Sequence, residues 1–239
     1  MPKVCVAIPT YNERDNIAKL VPLLLSVFRD NGIDGWVLIV DDSSPDGTGQ
    51  IADELSRKYP NVQVLHRKAK LGIGAAYKDA FNQALADQET AVVVEMDADL
   101  SHDPTYLPSI VSAAEASAGV GLGSRYVEGG DVVGWSKRRR IVSWGANFLT
   151  HLILGLPVRD ATSGYRAYTR QALANIGFMD AGTRAYAFQV EMLHKCERHK
   201  FRIEEVPITF YERQLGKSKL TRRDILDFLK TVLRLRFWS

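Results

Sequence analysis

Through its first hundred residues the chain alternates short β-branched runs with amphipathic stretches. VCVAIP is followed by a helical pattern from about Asn12 to Arg29, then WVLIV, a helix from about Asp46, NVQVLH, a helix from about Gly72, and AVVVEM. Parallel strands can pair only after a crossover, so strands joined by single helices predict an α/β fold with a mostly parallel, doubly wound sheet. The near-continuous valine of AVVVEM suits a strand covered on both faces. Ligands in such sheets lie beyond the carboxyl ends of the strands, which is where PTYNE, DDSSPDG and DADLSH all fall. No repeat, low-complexity tract or linker divides the chain, and 46% hydrophobic content supports a core, so residues 1–239 are expected to form one domain.

Charge excludes a general nucleic-acid binder. The net charge is +3, but residues 137–140 are KRRR and residues 213–236 carry eight basic against two acidic side chains, which leaves the rest acidic. Two basic segments on an acidic body fit local handling of phosphates or an anionic membrane surface, with no nucleic acid as partner. The short apolar run at the N-terminus is ended by Pro9 and polar residues, so it reads as neither a signal peptide nor a spanning helix, and a cytoplasmic location is expected. Cys5 and Cys196 stand far apart outside any C-x-x-C spacing, which fits buried, reduced thiols.

Beyond GVGLGSRY a glycine-rich loop leads into SKRRR and then IVSWGANFLTHLILGLPV, apolar but interrupted by Asn147 and His151. Residues 137–158 are too short and too polar for a clear membrane crossing, and suit a helix lying in the membrane surface or an ordinary core helix. The neighbouring basic residues favour the surface, each contributing about 1 kcal/mol near anionic lipid. Residues 221–239, in TRRDILDFLKTVLRLRFWS, are a second amphipathic candidate for membrane-surface or partner binding.

Three motifs carry chemistry. LGIGAAY contains G-x-G but has no third glycine and does not follow the first strand, which excludes a dinucleotide fingerprint. In DDSSPDGT, Ser43, Ser44 and Asp46 read as turn and cap residues, whereas Asp42 at a strand end can accept hydrogen bonds from a nucleobase. PTYNE adds the aromatic face of Tyr11 and the acceptor Glu13. In DADLSHDP, Asp103 caps a helix opened by Pro104 and His102 supports the turn. If the strand continued, Asp97, Asp99 and Ser101 would point the same way. Two carboxylates about 4 Å apart repel by about 4 kcal/mol at an effective dielectric near 20, so a cation or a shared proton is required. An oxygen-only set selects a hard ion, Mg²⁺ or Mn²⁺, of the kind that bridges carboxylates to phosphates.

IPTYNE, VDDSSPDGT, MDADLSH, GSRY, DATSGYRAY, FQVEML and ERQLGKSK, in this order, resemble the dolichol-phosphate (polyprenol-phosphate) mannose synthases of the family 2 glycosyltransferases. The resemblance implies a GT-A-type fold, GDP-mannose as donor, a membrane polyprenyl or dolichyl phosphate as acceptor, Mg²⁺ or Mn²⁺ as cofactor, and inversion at the anomeric carbon. Carried onto this chain, it implies that Pro9, Tyr11, Glu13, Asp42, Asp97, Ala98 and Asp99 bind the nucleotide sugar. Asp97, Asp99 and Ser101 match the metal positions. Arg125, Arg139 and Ser143 match the acceptor-phosphate positions, with the choice within residues 138–140 open by one residue. Arg213 and Lys219 match cationic groups near the donor phosphates, so the groups expected to carry transfer are Asp99, Arg125, Arg139, Arg213 and Lys219. Some relatives carry spanning helices after the catalytic domain; this chain is expected to dock on the cytoplasmic face of a membrane peripherally or through a membrane-anchoring protein partner.

A phosphate monoester has a second pKa of about 6, so the acceptor arrives ionised and no strong general base is required. Glu191 in FQVEML reads equally as a sugar contact or a structural ion pair, and Ser163 and Arg166 as the floor of the site. The competing readings are a polyprenyl-phosphate glycosyltransferase with another donor, such as UDP-glucose, and a non-catalytic membrane adaptor.

Overall fold

The computed structural model describes residues 2–182, 187–213 and 222–238. The first half follows the expected alternation: β1 (Lys3–Thr10), α1 (Arg14–Asp30), β2 (Gly35–Asp41), α2 (Thr48–Lys58), β3 (Val62–His66), α3 (Ile73–Ala86) and β4 (Thr90–Glu95). The second half comprises α4 (Leu107–Ser117), β5 (Val120–Ser124), β6 (Asp131–Val133), α5 (Lys137–Leu154), β7 (Arg166–Thr169), α6 (Arg170–Asn175), α7 (Ala187–Arg198), β8 (Ile203–Pro207), β9 (Thr209–Tyr211) and α8 (Arg222–Trp238).

The main sheet has strand order β3-β2-β1-β4-β7-β5-β8, and only β7 runs antiparallel to its neighbours. Alternating side chains of β1 feed two core layers: Cys5 and Ala7 pack with α3 and α7, while Val4, Val6 and Ile8 pack with α1 and α4. At Gly121 a Cβ would lie 2.0 Å from the Ile110 carbonyl oxygen, so β5 needs glycine for α4 to rest on its backbone. The strands β2, β1 and β4 are neighbours, which brings the segments after Thr10, Asp41 and Glu95 side by side.

The expected extension of β4 through Asp99 does not occur. The strand ends at Glu95, and Leu100 adopts φ +61°. The Asp99 Oδ1 accepts the Ser101 backbone N–H at 3.0 Å, and His102 Nδ1 accepts the Asp97 N–H at 3.2 Å. Short polar side chains that can bond nearby backbone compete with the ladder, so Asp97–His102 forms a turn instead of a strand. A parallel pairing of β6 with β9 lies beside this turn, linked to it by Tyr211 N–H to the Ser101 carbonyl at 3.2 Å and by a bridge between His102 and Phe210. The first candidate surface helix spans Lys137–Leu154 and stops at Gly155, which takes φ +70°. The second spans Arg222–Trp238, with residues 221 and 239 outside the described residues.

Candidate active site

Beyond β1 and β2 the tandem aspartates divide their work. Asp41 accepts from Thr10 Oγ1 at 3.2 Å, Ser44 Oγ at 2.6 Å and Ser44 N at 3.1 Å, and so fixes the turn. Asp46 accepts from Thr48 N and Arg14 N, consistent with a turn and cap role. Asp42 is buried against the Arg67 guanidinium, which also reaches Asp79 at 2.7 Å. Burial raises the Asp42 pKa, and Arg67 offsets only part of that shift. Pro9 pairs in register with Val40, while Glu13 receives the Asn16 side chain at 2.6 Å. The Lys70 ammonium lies 3.7 Å from the centre of the Tyr11 ring. Arg67 and Lys70 were not anticipated; both lie after β3, 25 or more positions from Asp42 and Tyr11, with no motif to mark them.

The Asp97–Ser101 turn gathers the charges of several segments, since Glu13, Arg125 and Arg213 all act on Asp97. Burial, and then the Asp99 charge, push the Asp97 carboxyl well above the usual carboxylate range, with Arg213 opposing and Glu13 adding to the shift. Ala98 and Asp99 are both buried, and the Asp99 Oδ2 meets Arg213 Nη2 at 3.1 Å. The Ser101 hydroxyl is fully buried without a hydrogen-bond partner among the described residues. His102 is buried between Tyr165 and Phe210, and burial lowers its pKa to about 4, which keeps it neutral and able to accept the Asp97 N–H. Asp103 accepts Thr105 N–H at 2.9 Å and caps the following turn as expected.

Arg125 follows β5 and forms a fork onto Asp160, Nε to Oδ2 and Nη2 to Oδ1, both at 2.6 Å. Its guanidinium lies 5.2 Å from Trp135 and 5.5 Å from Phe210. Arg139 stacks 4.0 Å from the centre of the Trp135 ring and donates to Glu212 at 2.8 Å. The three basic residues therefore separate: Arg139 lies on Trp135, Arg140 reaches the Val132 carbonyl and lines the neighbouring cleft, and Arg138 is exposed. Ser143 Oγ accepts from the Tyr126 hydroxyl at 2.8 Å. A cleft of about 490 Å³ runs from Arg125 and Tyr126 past Val132 to Ile141 and Trp144 on α5. Asp160, Trp135, Asn147 and Glu212 belong to this cluster and were not predicted. Asp160 opens the DATSGYRAY motif, but its partner is 35 positions away.

Glu191 accepts the Gly182 N–H at 2.9 Å and lies 3.5 Å from Arg234 of α8. Arg166 is fully buried, donating to the Ser163, Ala161 and Gln189 carbonyls beneath the site. Lys219 lies outside the described residues.

A mostly parallel sheet whose strand ends carry a two-aspartate turn opposite a pair of arginines defines a GT-A-type glycosyltransferase. The fold is shared with glucosyl-3-phosphoglycerate synthase of Mycobacterium tuberculosis, solved in complex with Mn²⁺, UDP and glucosyl-3-phosphoglycerate; the match has a TM-score of 0.69 at 18% identity and covers 98% of this chain and 80% of that one. The chain belongs to glycosyl transferase family 2, whose sequence profile matches residues 5–177. It is 42% identical over 226 residues to the polyprenol monophosphomannose synthase of Mycolicibacterium smegmatis, covering 94% of this chain and 83% of that protein. It is 43% identical over 219 residues to the undecaprenyl-phosphate mannosyltransferase of Micrococcus luteus, covering 92% and 88%.

Proposed function

We propose that the enzyme transfers mannose from GDP-mannose to a polyprenyl monophosphate, with inversion, on the cytoplasmic surface of a membrane. The observation that carries this reading is the pairing of Asp99 with Arg213 beside an Arg125–Trp135–Arg139 stack that Phe210 joins to the aspartate turn through His102. On this reading the aspartate turn is the donor end of the site and the arginine pair its acceptor end. The names of the two curated relatives support the lipid phosphate and the mannosyl group.

The donor end fits a divalent ion, Mg²⁺ or Mn²⁺. Ser101 offers a buried hydroxyl with no partner among the described residues, and the mutual repulsion of Asp97 and Asp99 needs positive charge. Asp97, Asp99 and Ser101 would hold the ion, an oxygen set that suits a hard cation shared with phosphate oxygens. When bound, the ion supplies charge neutralisation for the departing diphosphate. Pro9, Tyr11, Glu13, Asp42 and Ala98 hold the nucleotide, while Arg213 and Lys219 stabilise the diphosphate.

At the acceptor end, Arg139 and Arg125 orient the lipid phosphate, aided by Ser143, and the cleft along Ile141 and Trp144 leads its chain to the surface. Asp160 fixes Arg125 by the fork, which pre-organises a remaining face of the guanidinium for the phosphate. The phosphate monoester is already anionic near neutrality, so its oxygen attacks without a protein base.

Docking is provided by α5 and α8, which pack together. Ile141, Trp144, Phe148 and Leu152 form an outward ridge on α5 with exposures of 68%, 59%, 50% and 65%, beside Lys137, Arg138 and Arg140. Leu226, Leu233 and Phe237 are exposed on α8. No helix among the described residues is long and apolar enough to cross a membrane, whereas this ridge has the pattern of a helix lying in the interface.

Incubation with labelled GDP-mannose, polyprenyl phosphate and Mn²⁺ tests the reaction. Labelled lipid that disappears with EDTA is expected. Labelling only from UDP-glucose would replace the donor, and labelling undiminished by EDTA would remove the metal.

A further inference from the structure

Arg213 and a divalent cation need the same carboxylate. Asp99 has two oxygens: Oδ1 is held by the Ser101 N–H at 3.0 Å and Oδ2 by Arg213 Nη2 at 3.1 Å. The pair is largely screened from solvent, with side-chain exposures of 6% for Asp99 and 23% for Arg213, so their attraction is stronger than that of a surface pair. A cation added at Asp99 with the guanidinium still in place meets a like charge at short range.

A second observation concerns the other side of the same guanidinium. The Arg213 Nε is buried and has no hydrogen-bond partner among the described residues. A buried donor left unsatisfied is a cost that an acceptor oxygen relieves. Arg213 is thus bonded at one nitrogen and holds another ready for an anion.

The backbone leading to Arg213 is tied down. Tyr211 N–H bonds the Ser101 carbonyl, and Glu212 N–H bonds the Val133 carbonyl at 2.9 Å. The Glu212 carboxylate is committed to Arg139. Exchange between Asp99 and an incoming anion is therefore a movement of the Arg213 side chain, with its strand held against the turn that carries the aspartates.

We infer that Arg213 is a counter-ion that competes with the divalent cation for Asp99, so that the cation loads tightly only when a nucleotide diphosphate draws the guanidinium away. The inference rests on the metal-dependent reading above and adds an order to it: nucleotide and metal enter together, each raising the affinity for the other by the same factor. It makes Arg213 a positioning residue for loading as well as a contact of the donor phosphates.

Uptake of Mn²⁺, followed by the loss of the free-ion electron paramagnetic resonance signal, tests this without turnover. Without nucleotide, Arg213→Gln is expected to bind Mn²⁺ roughly fivefold more tightly than the unmodified protein, since the competing charge is gone. With GDP present, the difference is expected to vanish or reverse, since Gln cannot hold the diphosphate. A merely structural role would weaken Mn²⁺ binding under both conditions or change neither. Equal or weaker uptake by Arg213→Gln without GDP overturns the inference while leaving the metal reading intact. No uptake by either protein, with or without GDP, overturns both. Arg213→Met, which also removes the charge, gives the same reading should the Gln variant fold poorly.

Discussion

Asp160 shows how much a single buried charge can determine. Burial alone raises its pKa, but the Arg125 charge and the hydrogen bonds from Arg125 N, Nε and Nη2 bring it below the ordinary value. A depressed carboxyl pKa contributes stability that is present above the unfolded value near 3.8 and is lost as pH falls through the folded one. Asp160→Ala leaves Arg125 buried and unpaired, and should cost about 3–5 kcal/mol in chemical denaturation at neutral pH. The deficit should shrink as the pH of the measurement falls toward 3. His102 admits a finer test. His102→Asn keeps an acceptor at the position of Nδ1 and should retain most activity, whereas His102→Ala frees the Asp97 backbone and should lower kcat by roughly tenfold or more. Equal activity of the Ala and Asn variants would mean that the Asp97 N–H contact does not position the turn. At this scale Asp97 and Asp99 were legible because an apolar run ends on two charges. Their convergence was not, because it depends on a turn at Leu100 and on partners from β9. Asp160 left no trace in spacing, since side-chain pairs across 35 positions follow from topology.

Among elements, α5 was recognised from its pattern, and its end at Gly155 corrects the expected limit at residue 158. Sequence alone left it balanced between a core helix and a surface helix, because both have apolar residues at helical spacing. The structure separates them: Asn147, Thr150 and Leu154 face inward while the aromatic residues face out. Trp144 and Phe148 stack at 5.4 Å, giving a preformed wedge. Burying an aromatic side chain in an apolar medium is worth about 1.5–3 kcal/mol. The double change Trp144→Ser and Phe148→Ser should therefore weaken sedimentation with anionic vesicles by at least about a hundredfold, with little change in thermal stability because both side chains are already exposed. High salt should weaken the unmodified protein's binding through Lys137, Arg138 and Arg140. A variant that binds vesicles as before would move the docking surface elsewhere. The strand β7 was not foreseen. It is four residues long and begins with Arg166, so it lacks the apolar run that marks β4, and its place between β4 and β5 is set by pairing with distant strands.

For the whole molecule, the legible half is the half built from sequential crossovers, where β1, β2 and β3 are each one helix from a neighbour, β4 returns to pair with β1, and hydrophobic period decides the element. From β5 onward the elements meet by long-range pairing, and β9, arriving last, closes the site that β4 begins. This topology couples ligand binding to global stability. The Asp97–Ser101 turn, the Arg125–Arg139 stack and Arg213 are spread over more than a hundred positions of the chain, so a ligand held by several of them binds the native chain and not the unfolded one. At about 100 times Kd such a ligand adds about 2.7 kcal/mol, and for a chain of this size 1 kcal/mol corresponds to about 2–4 °C in Tm. GDP with Mn²⁺ should raise Tm by about 5–10 °C, and EDTA should abolish most of the rise. Because Arg213 opposes the ion until a diphosphate arrives, Mn²⁺ alone should give a small shift, and the joint shift should exceed the sum of the separate ones. In Arg213→Gln the order of effects should change: the shift from Mn²⁺ alone should grow while the excess of the joint shift should fall. Strict additivity in the unmodified protein would mean that nucleotide and metal bind independently, and that the ion pair between Asp99 and Arg213 is incidental to loading.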